Sequence, residues 1–144
     1  MGIGQELRGD DGAGIFLIRR LQKRADAARP PAPFFFEAGS LPEASAGPLR
    51  RYGPDGVVFL DAADMEEPPG AIQWIDPAAL ESSAPATHTF PMGGFSGYLE
   101  SELGCRVAIL GIQPDCIDFD APISDCVQRA INDIFEEIIS ILFE

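Results

Sequence analysis

Cationic side chains are scarce in this chain: 10 lysines and arginines stand against 23 aspartates and glutamates in 144 residues, a net charge of −13. Such a surface repels phosphate, which argues against a nucleic-acid partner. It favours cationic partners or metal ions, although an acidic surface most often serves solubility alone. Cysteine is nearly absent. Cys105, Cys116 and Cys126 are an odd number without C-x-x-C spacing, so neither a disulfide framework nor a zinc–thiolate site is indicated. They read as small core or loop residues in a reducing cytoplasm. No apolar run approaches the ~18 residues that cross a bilayer, and no basic-then-apolar signal segment opens the chain. Only one histidine, His88, is present. Any metal site must therefore be built from carboxylates and that imidazole.

What is present is an ordinary globular composition, 46% apolar and 23% charged, in a length that suits one domain over residues 1–144. Residues 11–29 carry Ile15, Ile18 and Leu21 at helical spacing, with Arg19, Arg20, Lys23 and Arg24 largely on the other face. Pro30, Pro31 and Pro33 stop that helix. The aromatic run 34–36 reads as a short buried strand, and 43–51 as a weak helical turn. Residues 56–61, Gly-Val-Val-Phe-Leu-Asp, are continuously apolar up to a closing carboxylate. That pattern belongs to a central strand covered on both faces, and so to a parallel sheet flanked by helices. Residues 71–75 alternate and suit an edge or antiparallel strand, 76–87 a surface loop, 95–103 a helix and 106–112 a second apolar strand. A long helix over 122–143 carries Ile123, Val127, Ile131, Ile134, Ile138 and Leu142 on one stripe.

This order predicts an α/β fold: a three-layer αβα sandwich around a mostly parallel twisted sheet. Its first strand is expected to be truncated, because the Gly2-Ile3-Gly4 turn begins almost at Met1 where about 5–6 strand residues would be usual.

Three places carry chemistry. Gly9-Asp10-Asp11-Gly12-Ala13-Gly14 has the outline of a dinucleotide-binding turn. Its two acids occupy the position where a pyrophosphate needs N–H groups and no negative charge, which disfavours a nucleotide. They could instead cap the following helix, a role that suits Asp10. Asp61 closes the apolar strand, where α/β sheets hold their ligands, with Asp64 three residues on. Thr87-His88-Thr89-Phe90-Pro91 places the histidine at a loop-to-helix junction. Asp11, Asp61 and His88 together make a borderline-hard donor set suited to zinc, nickel or a similar divalent ion.

Four segments in order, Gly9-Asp10-Asp11-Gly12-Ala13-Gly14, Leu60-Asp61-Ala62, Thr87-His88-Thr89-Phe90-Pro91 and Leu110-Gly111-Ile112-Gln113-Pro114, make the chain resemble the [NiFe]-hydrogenase maturation proteases. The likeness is strongest to the hydrogenase 3 maturation endopeptidases. The resemblance implies a cytoplasmic endopeptidase acting on the precursor of a [NiFe]-hydrogenase large subunit. It would remove a C-terminal extension after nickel insertion, with nickel supplied by the precursor as the recognition element. It also selects Asp11 rather than Asp10 as a metal ligand beside Asp61 and His88, and assigns no nucleophile. Gln5 departs from the family pattern, standing where an asparagine usually follows the Gly-x-Gly turn. The alternative is a catalytically silent binding or chaperone-like protein of the same fold.

Overall fold

The structure is a computed structural model that describes residues 1–26, 33–80 and 92–143. Among these residues the strands are β1 (Gly2–Ile3), β2 (Glu37–Gly39), β3 (Gly56–Ala62), β4 (Ile72–Ile75) and β5 (Arg106–Ile112). The helices are α1 (Ala13–Asp26), α2 (Ala46–Tyr52), α3 (Met92–Leu103) and α4 (Asp125–Phe143). Short 3-10 turns cover Gly9–Gly12, Pro42–Ser45 and Pro77–Leu80.

The sheet order is β2-β1-β3-β5-β4. Its pairs are parallel except β4 with β5, which is antiparallel at the edge, as the alternation in 71–75 suggests. β3 and β5 pair along their whole length, from Gly56 opposite Arg106 to Ala62 opposite Ile112. Asp61 therefore leaves the sheet beside Gly111, where the loops after both strands emerge together.

Apolar side chains fill two layers. Leu17, Ile18 and Leu21 of α1 pack with Val127, Ile131 and Ile134 of α4 on one face of the sheet. Leu49 of α2 packs with Phe95 and Leu99 of α3, Phe59 and Ile109 on the other. The three-layer expectation is met, and the helical stripe on 122–143 follows the buried face of α4 through Val127, Ile131 and Ile134, but at its end Ile139 is buried and Leu142 is 44% exposed.

Two sequence expectations change. The strand expected at 34–36 lies three residues later, in β2. Its position is set by backbone bonds from Gly2 N–H to Phe36 O and from Gly4 N–H to Gly39 O, at 2.9 and 3.0 Å. Local aromatic content cannot report such distant pairing, and Phe34 stays 46% exposed. The first strand is short but not lost: β1 has 2 residues and bonds to β2 and β3 on either side.

Above β1 the sheet is loosely filled. The Met1 ammonium donates to Val58 O at 2.5 Å, and burial lowers its pKa to about 5. One cavity of about 620 Å³ touches Met1, Phe34, Leu49, Tyr52 and Val58. Another, of about 610 Å³, touches Met1, Ile18, Leu21, Phe34, Val58 and Ile134. Val58, on a strand read as covered on both faces, is 42% exposed as a result.

Candidate active site

The site is assembled by close backbone contact, which is where glycine is indispensable. Gly14, in the first turn of α1, lies so near the sheet that a Cβ would sit 2.1 Å from Leu60 O and 2.5 Å from Ile3 O. That approach draws the Asp10-Asp11 turn over the carboxyl end of β3, beside Asp61. Gly4 has φ +126°, and a Cβ there would fall 1.8 Å from Asp11 O. Only a residue without a side chain turns the chain in that space. The backbone N–H of Gln5 then donates to Asp11 Oδ2 at 3.0 Å. The contact uses the main chain, so a glutamine in place of the family's asparagine does not remove it.

The charge of Asp11 acts on the Asp61 carboxyl. Asp61 is half-buried. Its carboxyl is pushed up to about 7, first by desolvation and then by the charge of Asp11, with the Ala62 N–H acting in the opposite direction. Among the described residues no lysine or arginine is ion-paired with either acid; the ion pairs there join Arg19 to Glu6 and Glu37. Two converging carboxylates without a counter-cation favour whatever supplies positive charge, a proton or a metal ion.

His88, Thr87, Thr89, Phe90 and Pro91 lie outside the described residues, as do Ser82 and Ser83. Among the described residues no three His, Cys, Asp or Glu side chains converge as a ligand set. Asp11 and Asp61 are two oxygen donors of the expected trio, and their chemistry fits a divalent ion.

Asp10 does something the sequence reading missed. It does not cap its own helix; no side-chain cap bond is made at this turn. Fully buried, it reaches across to the segment after β5 and accepts four hydrogen bonds. The donors are the N–H groups of Asp115, Cys116 and Ser124 and the Ser124 hydroxyl, at 2.8, 3.0, 2.7 and 2.7 Å. Burial pushes its carboxyl up, but these bonds outweigh it and hold the group below the usual carboxylate range. The neighbouring acids thus divide their work: Asp10 is saturated by donors, while Asp11 accepts only the Gln5 N–H and its charge acts on Asp61.

Gln113 holds the other loop. Its Oε1 accepts the N–H groups of Met65 and Glu67, at 2.7 and 3.3 Å, and its Nε2 donates to Asp64 Oδ1 at 3.3 Å. Its backbone bonds Ala71 and Gly70 at 2.8 Å each. The Gly-Ile-Gln-Pro segment has no reactive group, yet it fixes the loop that follows Asp61. Asp64 is accordingly a loop anchor.

Nucleophile candidates are poor among the described residues. Cys105 is buried, its Sγ against Leu99 O, and desolvation raises its pKa. The Ser124 hydroxyl is taken by Asp10.

The geometry is that of an α/β sheet with two carboxylates, Asp11 and Asp61, at the end where such sheets hold their ligands, backed by two hydrogen-bonded loop clamps. Comparison with known proteins makes this specific. The chain belongs to the HycI family of hydrogenase maturation proteases, which matches residues 15–141. It is 31% identical to the hydrogenase 3 maturation protease of Escherichia coli K12, over 94% of this chain and 85% of that protein. The crystal structure of the [NiFe] hydrogenase maturation protease HycI from Thermococcus kodakarensis superposes with a TM-score of 0.88 at 27% identity, covering 99% of this chain and 90% of that one. HybD of the same organism shares the fold, with a TM-score of 0.71 at 22% identity over 98% and 95% of the two chains.

Proposed function

We propose that this protein is the endopeptidase that removes the C-terminal extension from a [NiFe]-hydrogenase large-subunit precursor, and that Asp11, Asp61 and His88 engage the precursor's nickel. The observation that carries the reading is the Asp11–Asp61 pair. Its mutual repulsion is relieved when a cation arrives, and the burial that raises the Asp61 pKa also strengthens attraction to that cation. His88, on a segment outside the described residues, would supply the third donor. Asp11, Asp61 and His88 would hold the nickel, which would supply Lewis-acid chemistry at the scissile peptide.

The chain's own residues then have distinct tasks. Asp11 and Asp61 grip the metal-bearing end of the precursor. Asp10 and Gln113 keep the surrounding loops in place while a large partner docks. The same donor set accepts zinc or a similar divalent ion. No helix among the described residues is long and apolar enough to cross a membrane; we place its action on a newly made precursor, in the cytoplasm. We read residues 1–144 as one domain, since the two core layers share a single sheet.

The test is to incubate the protein with its precursor in nickel-loaded and nickel-free forms. Tail removal from the loaded form alone supports the reading. Equal cleavage of both forms overturns the role of nickel. Tight binding without cleavage returns the protein to a silent binding module.

A further inference from the structure

Leu7, Ile117 and Phe119 are large apolar side chains turned to solvent, 53%, 46% and 76% exposed. They lie on two loops locked together beside the candidate site. Asp120 N–H donates to Leu7 O at 2.8 Å, Asp10 N–H to Cys116 O at 2.9 Å, and Arg8 Nε to Ile117 O at 3.4 Å. Gly9, at φ +51°, lets the loops close until a Cβ would lie 2.5 Å from Cys116 O. The Asp10 carboxylate ties the same segment down from inside. Asp120 holds a left-handed bend, φ 60°, immediately after Phe119. These side chains are thus displayed on a fixed backbone, and a fixed apolar cluster in water marks an interaction surface better than scattered apolar residues do.

Two features identify the occupant. The first loop runs directly into Asp11, so the cluster is continuous with the site that must receive the precursor. Its rim is acidic, with Asp115, Asp118 and Asp120 all exposed, while Arg8 is engaged with the Ile117 carbonyl. We propose that Leu7, Ile117 and Phe119 form the docking surface for the precursor polypeptide, and that they take an extended apolar stretch carrying basic residues beside the metal-bearing end. The inference rests on the proposed function for the partner's identity, while its physical basis is this surface alone. Apolar burial supplies affinity, and the acidic rim supplies orientation and a faster encounter.

The experiment compares the intact protein with the double variant Leu7→Ser/Phe119→Ser, using the nickel-loaded large-subunit precursor as probe. Kd is read by calorimetry, kcat and KM by tail removal, and folding by thermal melting. Docking through this surface raises Kd and KM by about tenfold or more, with kcat changed by less than about twofold and melting nearly unchanged. Trp74→Ser on the edge strand β4, 67% exposed, removes comparable apolar surface elsewhere and leaves Kd as it was. Asp115→Asn/Asp118→Asn/Asp120→Asn slows association and flattens its salt dependence.

An unchanged Kd in the double variant overturns the proposal. So does a loss of self-association in that variant with precursor binding intact, which would make the surface an interface between copies. Should the wild type bind the precursor without cutting it, the peptidase reading fails, yet the Kd comparison still decides whether this surface docks it.

Discussion

At the carboxyl ends of the strands, Asp10 takes four hydrogen bonds from one segment and Gln113 clamps another. Toward the amino ends, β1 gives no pairing, since its 2 residues lie level with Leu60 near the carboxyl end of β3, the Met1 amine is buried against Val58 O, and cavities lie on both faces. One sheet thus has a braced end and a loosely filled end. The lesson is that the 2 residues of β1 suffice to set the site. Gly4 and Gly14, after β1, position the Asp11 turn through backbone contact with Asp11 O, Ile3 O and Leu60 O.

Breaking the braced end should have the larger consequence. Asp10→Ala strands three part-buried N–H groups and a hydroxyl, and is expected to cost about 2–4 kcal/mol, read by urea denaturation. A cost under about 1 kcal/mol would mean that water or rearrangement replaces the carboxylate.

Asp61→Asn sharpens the contrast with a gain. The folded state raises the Asp61 pKa to about 7 from 3.8, so the charged form is disfavoured by folding. The folded state therefore binds the extra proton between those pKa values, and the wild type loses stability as pH rises through that window. The metal-free variant should be more stable than wild type by about 1–3 kcal/mol at pH 8. At about pH 3 or below, where Asp61 is largely protonated in either state, the difference should vanish. Equal stabilities at pH 8 would show that folding does not raise the Asp61 carboxyl.

Adjacent residues of β3 provide the smallest effect and its control. Phe59 is fully buried and Val58 42% exposed. Phe59→Ala should cost about 3–5 kcal/mol, an ordinary core loss, while Val58→Ala costs about 0.5 kcal/mol. A large cost at Val58 would mean the amino end is better packed than its cavities indicate.

Much of this was legible from local pattern. Unbroken apolar runs marked β3 and β5, alternation marked the antiparallel edge strand, and a helical stripe marked α4. The placement of Asp61 followed from its position at a strand end; the glycine turn marked Asp10 and Asp11 together, and the family resemblance chose Asp11. What could not be read depends on contacts distant in sequence. Asp10 bonds residues 105 to 114 positions away, so the capping role suggested by its neighbours was the wrong one. The shift of β2 past the Phe34-Phe35-Phe36 run reflects pairing with β1. Gln113 could be recognised as part of a motif, but its purpose needed the loop it holds.

The central claim is that Asp11, Asp61 and His88 act together on the precursor's nickel. It is tested most directly by cleavage of the nickel-loaded precursor with wild type, Asp11→Asn and His88→Ala under identical conditions. The expected result is tail removal by wild type and a loss of at least about a hundredfold in each variant, with melting behaviour retained. Cleavage at the wild-type rate by either variant would contradict it.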